Sequence, residues 1–244
     1  MPRPLLLVVV AHPDDESFGC GSVLLHAAAT GFRTAVLCAT SGDSGESRLD
    51  TDDLGSVREA ELREAARILG VGDVRLLEYG DSGMSGAPAP LTLAAAVLTD
   101  VTERVREVID ELRPRIVVTL DASDGHRDHV VMREATLAAV DSSVHPPAAT
   151  YLSCLARSLM ARWADRVRVV GGGDAYLALS SLGTPDEDIT TIIDVVEHLP
   201  KRWEAIRLHE SQASPYDDLP EDLQRDFLGA DQLRLVRGSD IYPR

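Results

Sequence analysis

Two clusters of acidic and imidazole side chains each follow an apolar run of the chain. The first, AHPDDE at 11–16, places His12, Asp14 and Asp15 directly after LLLVVV. The second, DASDGHRDH at 121–129, follows RIVVTL. Titratable groups cost several kcal/mol when they are buried without partners. Both clusters must therefore face water, each other or a cation, at the points where buried strands are expected to end.

The elements that must position these clusters alternate between strands and helices. Apolar, β-branched runs are typical of parallel strands covered on both faces, and they predict strands over 5–10, 34–40, 74–77 and 115–120. Apolar residues at helical spacing predict helices over 17–30, 54–69, 91–112 and 128–140. This alternation predicts a three-layer, Rossmann-like α/β fold with a mostly parallel sheet.

The C-terminal third has weaker patterns. They favour strands near 149–155, 166–170 and 189–194, and helices near 196–209 and 220–228. No repeat or linker interrupts the chain, and 244 residues with 44% hydrophobic content can bury one sizeable core. We therefore expect residues 1–244 to form a single domain.

The expected topology brings the two clusters to one crevice. In open α/β sheets, ligands bind beyond the carboxyl ends of the strands where the strand order reverses, and in the order 3-2-1-4 the first and fourth strands are neighbours there. Two histidines and a carboxylate are enough protein ligands for a catalytic zinc, whose fourth position is left to water. Adjacent Asp14 and Asp15 point apart, so one can bind the metal while the other addresses the water.

A simpler explanation of the first cluster is helix capping. Asp15 could accept backbone N–H bonds at the start of the next helix, where a negative charge is also favourable. A second histidine cluster at the matching strand end argues against capping as the whole explanation, because capping requires no histidines.

Both clusters lie within short motifs that match those of a known protein family. AHPDDE at 11–16 and GHRDHV at 125–130 match the two signature motifs of the LmbE-like, or PIG-L, zinc-dependent N-deacetylases, which the chain resembles. Weaker matches are R-x-x-E-L at 58–62 with LG at 69–70, DSGM at 81–84, and KRWEAIRLHESQ at 201–212. The resemblance covers residues 5 to about 213.

The resemblance implies a site and a mechanism. It implies zinc bound by His12, Asp15 and His129, although Fe²⁺ or another divalent ion also suits two histidines and an aspartate. It further implies Asp14 as the general base toward the metal's water. His126 would stabilise the oxyanion and protonate the leaving amine.

Substrate contacts also come from the resemblance. It implies that Arg58 and Asp81 hydrogen-bond sugar hydroxyls and that His209 approaches the pocket. The alternatives are a surface ion pair of Arg58 with Glu61, a turn role for Asp81, and a packed structural role for His209. Asp128 is expected to orient a ligand histidine or to cap the following helix.

One position departs from part of the family. Some sugar-thiol deacetylases carry an aromatic residue two positions before the first histidine of the second motif, where this chain has Asp124. This difference argues against those substrates in particular.

Composition limits the partners. The net charge of −16 disfavours nucleic-acid binding. No apolar run approaches the roughly 20 residues of a membrane span, and PLLLVVVA lacks the flanks of a signal peptide. Three widely spaced cysteines suit buried thiols in a reducing cytoplasm. We expect a cytoplasmic protein whose partner is a small N-acetylated amino sugar or its conjugate, with homo-oligomerisation left open.

The sequence thus predicts a zinc-dependent hydrolase that removes an N-acyl group, foremost acetyl, from an amino sugar or its conjugate. The alternatives are a metal-dependent amidase for a non-sugar amide, a metal-binding scaffold without catalysis, and a nucleotide-binding α/β module. The chain lacks the G-x-G-x-x-G after the first strand and the P-loop lysine that are typical of nucleotide-binding modules. The polar loop at 41–53 is either a lid over the site or an ordinary surface loop.

Overall fold

The computed structural model describes residues 3–171 and 182–243. Within these residues the chain forms a sheet of seven strands. In chain order they are β1 Leu5–Val10, β2 Arg33–Thr40, β3 Asp73–Tyr79, β4 Ile116–Leu120, β5 Ala149–Cys154, β6 Thr191–Asp194 and β7 Ala230–Gly238.

Helices connect and cover these strands. Those of the described ranges are α1 Asp15–Phe18, α2 Gly21–Ala29, α3 Leu54–Ile68, α4 Leu98–Leu112, α5 Arg127–Ser142, α6 Arg157–Val170, α7 Leu199–Arg207 and α8 Glu221–Leu228. Short 3₁₀ turns occupy Leu93–Ala95, Asp186–Asp188 and Val196–His198. Across residues 3–171 and 182–243, we find no helix with the length and apolarity that a membrane crossing requires.

The sheet confirms the predicted α/β class. Its strand order is β3-β2-β1-β4-β5-β7-β6, so the expected neighbours β1 and β4 lie side by side at the reversal. Strands β1 to β5 pair in parallel, whereas β7 runs antiparallel to both β5 and β6. The carboxyl ends of β1 and β4 therefore meet at one edge of the sheet.

Strand β1 is the centre of the core. Its alternate side chains Leu6, Val8 and Val10 pack on one face with α2 and α3, while Leu5, Leu7 and Val9 pack on the other with α4 and α5. Burying each such side chain contributes about 1.5–3 kcal/mol. A strand covered on both faces has an apolar residue at every position, which explains the unbroken LLLVVV run.

Three predicted elements differ from the observed ones. The helix expected over 17–30 is two helices, α1 and α2, and the helix expected from 91 begins only at Leu98. The strand expected at 166–170 is wrong, because these residues end helix α6. Leu159, Met160, Ala164 and Val167 are buried at helical spacing there. Strand β7 was not predicted.

Candidate metal centre and active site

The two sequence clusters meet at the carboxyl ends of β1 and β4. The ring of His12 lies 4.6 Å from that of His126 and 5.3 Å from that of His129, measured between centroids. All three side chains are largely buried. The fold therefore brings together histidines that are more than 100 positions apart in the chain.

Asp15 shapes the first motif by folding back onto it. Its Oδ2 accepts the backbone N–H groups of Ala11 at 3.1 Å and His12 at 2.8 Å, while α1 begins at Asp15 itself. The preceding residue, Asp14, has φ of 126°, a region that costs a non-glycine residue about 1–3 kcal/mol. Such strain persists only where the surrounding contacts over-determine it, and functional sites are where it concentrates.

Asp15 also joins the two histidines expected as metal ligands. Its Oδ1 is 3.3 Å from His129 Nε2, and its Oδ2 is 3.6 Å from His12 Nδ1. Atoms that share one zinc at bonds of about 2.0–2.2 Å lie roughly 3.3 Å apart in a tetrahedron. His129 Nε2 is buried and makes no hydrogen bond, so its lone pair becomes available for a cation once the ring loses a proton.

A carboxylate holds the opposite nitrogen of each of these imidazoles. His129 Nδ1 is 2.6 Å from Asp124 Oδ2, and His12 Nε2 is 3.2 Å from Asp128 Oδ2. A carboxylate that takes one N–H fixes the tautomer and leaves the other nitrogen unprotonated for a metal. Asp128 thus lies where the sequence expected a residue that orients a ligand histidine.

Asp124 was missed as a functional residue. In the sequence it stood only as a replacement for an aromatic side chain, yet it contacts His129 and also accepts the backbone N–H of His126 at 3.0 Å. An acid five positions before an expected ligand histidine, in the loop that leads into its helix, is the signal that could have found it.

His126 has a different tautomer. Its Nδ1 accepts the backbone N–H of Asp128 at 3.2 Å, so the proton of the neutral ring is on Nε2. Burial, together with the nearby charges of His12 and His129, lowers the pKa of His126 to about 4. One nitrogen from each of the three histidines lies within 4.8 Å of the others. Nevertheless, a neutral ring with Nε2–H suits a hydrogen-bond donor better than a metal ligand.

The electrostatics of the centre favour a positive charge. Burial alone would lower the pKa of His12, but hydrogen bonds to Asp128, Asp15 and Asp81 outweigh it and raise that pKa well above its usual value. Burial would likewise lower the pKa of His129, but the charges of Asp15 and Asp124 outweigh burial and raise that pKa to about 10. Carboxylates that hold protons on two imidazoles this firmly also stabilise a divalent cation between the same atoms.

Asp14 is held beside this centre by Arg58. The guanidinium Nη2 donates to Asp14 Oδ2 at 3.0 Å and to Pro13 O at 2.6 Å, and Nη1 donates to Gly42 O at 2.8 Å. Burial raises the pKa of Asp14 to about 6 despite the opposing charge of Arg58. A Cβ at Gly42 or Gly45 would lie 2.5 Å from this guanidinium, so the 41–53 loop can pack on it only through glycine.

The structure separates the alternatives for Arg58. Arg58 is 3% exposed and contacts Asp14, so it is not a surface partner of Glu61. Glu61 instead accepts the backbone N–H and hydroxyl of Ser211 at 2.8 and 2.6 Å.

Asp81 combines both of its expected roles. Its Oδ1 accepts the backbone N–H of Gly83 at 2.8 Å, as a turn residue does, and lies 3.5 Å from His12 Nε2. Burial would raise the pKa of Asp81, but the bond to His12 and its charge lower it to about 2. Next to it, the Ser82 N–H donates to Asp128 Oδ2 at 2.9 Å, so this loop also supports the centre.

His209 packs against α1. It is 2% exposed, and its Nε2 is 2.8 Å from Glu16 Oε1 and 3.3 Å from Ser17 Oγ. It also contacts the ring of Phe18, 5.8 Å away between centroids, so its contacts are with residues 16–18 of α1.

Comparison with known proteins identifies the family. Residues 7–140, more than half of the chain, match the PIG-L family, described as GlcNAc-PI de-N-acetylase. The chain belongs to the PIG-L family. The family match, together with curated relatives named as deacetylases, makes it an N-deacetylase.

Curated relatives of this PIG-L chain extend over nearly all of it. The 1D-myo-inositol 2-acetamido-2-deoxy-α-D-glucopyranoside deacetylase of Geodermatophilus obscurus is 31% identical and is matched over 97% of this chain and 93% of its own. The enzyme of the same name from Acidothermus cellulolyticus is 32% identical, over 98% of this chain and 90% of its own. Among solved structures, the zinc-inhibited form of teicoplanin deacetylase shares the fold, with a TM-score of 0.65 at 20% identity over 97% and 99% of the two chains.

Proposed function

We propose that this PIG-L chain is a zinc-dependent enzyme that removes the acetyl group from an N-acetylglucosamine conjugate, with an inositol glycoside as the first substrate to test. Relatives at 31% and 32% identity carry names that specify a 2-acetamido-2-deoxy-glucopyranoside of inositol. The observation that carries the proposal is the bridge that Asp15 makes between His12 and His129, whose Nε2 is buried and makes no hydrogen bond.

The metal ligands in this proposal are His12, Asp15 and His129. Their donor atoms, held by Asp128 and Asp124 behind the two rings, fit a small divalent ion, zinc first and Fe²⁺ as an alternative. A divalent cation bound there polarises the amide carbonyl and makes water more acidic.

Asp14 and His126 divide the proton and charge chemistry. Asp14, fixed by Arg58 and with its pKa raised to about 6 by burial, takes a proton from the attacking water. Neutral His126 donates through Nε2 to the oxygen that becomes negative as the amide carbon turns tetrahedral. Collapse of that centre expels the amine, which takes up the proton that Asp14 accepted from the water, because a neutral His126 ring is too weak an acid to supply one.

Arg58 and Asp81 flank the same centre and are proposed to bind the sugar hydroxyls. Asp81 is within 3.5 Å of His12, so a hydroxyl bonded to Asp81 would lie close to the reacting amide. The Arg58 donors already serve Asp14, Pro13 and Gly42, while its Nε is buried without a partner. A single domain over 1–244 stays a prediction, while homo-oligomerisation and the choice between a lid and a surface loop for 41–53 stay open.

Amine release tests the proposed function. The zinc-loaded chain is assayed with N-acetylglucosaminyl-inositol, N-acetylglucosamine and a non-sugar N-acetyl amide, and free amine is quantified. We expect the inositol conjugate to be the best substrate and Asp14→Asn to slow its turnover by about 10²–10⁴. Preference for the non-sugar amide would replace the sugar assignment with an amidase. No metal-dependent release from any of the three would refute the proposal.

A further inference from the structure

The backbone of Asp14 requires support that its own side chain does not give. At φ of 126°, Asp14 precedes α1 at the N-cap position, yet its carboxylate makes no capping bond there. That carboxylate points to Arg58 instead. The strained conformation at the residue proposed as general base is therefore maintained by other groups.

Glu16 supplies one such support from inside the protein. It is fully buried, and its Oε2 accepts the Asp14 backbone N–H at 3.0 Å. A buried carboxylate requires partners for both oxygens, and the other oxygen of Glu16 has two. Oε1 accepts the Ser17 hydroxyl at 2.5 Å and lies 2.8 Å from His209 Nε2.

His209 comes from just beyond the C-terminal end of α7, 193 positions after Glu16. Its side chain is fully enclosed, so its ring is fixed against Glu16. The chain of contacts thus runs from His209 to the Glu16 carboxylate and on to the Asp14 backbone. These contacts end at Asp14, the proposed general base, and general-base catalysis depends on its orientation.

We propose that Glu16 and His209 are positioning residues for Asp14: His209 fixes the Glu16 carboxylate, and Glu16 holds the strained Asp14 backbone so that its side chain faces the attacking water. This inference rests on the proposed function, in which Asp14 is the base. It gives His209 an indirect role instead of a contact with substrate. A misplacement of about 1 Å at a reacting group costs about 10² in rate.

Matched variants separate positioning from packing. Glu16→Met removes both acceptor oxygens at similar volume, whereas Glu16→Gln keeps one oxygen for the Asp14 N–H. His209→Ala removes the donor, whereas His209→Gln keeps a donor near the Nε2 position. The control is Glu61→Gln, because Glu61 binds Ser211 and so ties the same C-terminal segment to α3 without touching Asp14.

The readouts are kcat, KM and zinc per chain. For Glu16→Met and His209→Ala we expect kcat to fall by about 10-fold to 100-fold, with KM and zinc content within about twofold. Glu16→Gln and His209→Gln should recover most of the loss, and Glu61→Gln should keep the wild-type kcat. If Glu16→Met does not fold, the comparison of His209→Ala with His209→Gln is sufficient to test the proposal.

A double-mutant cycle decides whether the effect passes through Asp14. In an Asp14→Asn background, Glu16→Met and His209→Ala should lower kcat no further. The same fold loss in that background, or an equal loss from Glu61→Gln, would overturn the positioning role while leaving the proposed function intact. A wild-type chain without deacetylase activity, or Asp14→Asn with full activity, would overturn both.

Discussion

Binding of a divalent metal should release about two protons per ion at pH 7. The two ring nitrogens that face Asp15, His12 Nδ1 and His129 Nε2, must be unprotonated to bind a cation. In the metal-free protein the surrounding carboxylates favour protons on both rings. Zinc added to the metal-free chain therefore displaces those protons into the buffer.

The magnitude follows from the individual groups. The charges of Asp15 and Asp124 outweigh burial and raise the pKa of His129 to about 10, so its ring is expected to be charged at pH 7. The pKa of His12 is also well above its usual value. His126 has a pKa of about 4 and Asp15 has a lowered pKa, so neither holds a proton to release. About two protons leave, and the logarithm of the affinity should rise by about two per pH unit near pH 7.

Calorimetric titration of zinc in buffers of different ionisation enthalpy measures this number directly. His129→Gln should reduce the release to about one proton and weaken binding, whereas His126→Gln should leave it near two. A release close to zero in the wild-type chain would refute the reasoning, because it would mean that both ligand imidazoles are neutral before the metal arrives. A full release of two protons from His129→Gln would refute the assignment of His129.

Three further predictions concern the same residues and their supports. Asp14→Asn should keep its zinc while His129→Ala loses it, as metal analysis after dialysis would show; equal metal content in both would contradict the assigned roles. Asp124→Asn should weaken zinc binding by about 10-fold to 100-fold in a chelator competition, since it removes the carboxylate behind His129; unchanged affinity would exclude that role. Arg202→Leu should lower the free energy of unfolding by about 3–5 kcal/mol in urea, because it leaves Asp231 buried and unpaired. The surface control Arg162→Leu should change stability little, and a similar loss there would contradict the argument.

The order of the first four strands and the meeting of the two motifs were predictable because both follow from local patterns and one topological rule. Unbroken apolar runs identified β1, β2 and β4, and the reversal rule placed β1 beside β4. Given this rule, the position of each motif at a strand end was enough to predict that the two motifs share a crevice.

The division between α1 and α2 was not predictable, because a distant residue causes it. The carbonyls of Ser17 and Phe18 would accept helical bonds if the helix continued past Gly19. Instead, both accept from the buried Arg202 guanidinium, and Phe18 O also accepts from Tyr216 Oη. These donors come from the C-terminal third, so no local window of sequence contains the information.

The late start of α4 and the omission of β7 have similar origins. Backbone bonds from Gly80 N to Leu91 O and from Leu93 N to Gly80 O draw the segment expected to begin α4 onto the end of β3. In β7 the buried Asp231 and Leu233 do alternate with less buried neighbours. Asp231 looks like a surface residue in the sequence, because its partner Arg202 lies on a different element.

The metal centre depends on both motifs at once, which is why their pairing says more than either alone. Asp128 of the second motif orients His12 of the first, and Asp15 of the first contacts His129 of the second. Neither motif contains a ligand histidine together with all the carboxylates that hold it. The adjacency of β1 and β4 therefore forms the candidate site, and any change that separated these two strands would remove the proposed metal ligands and their orienting groups together.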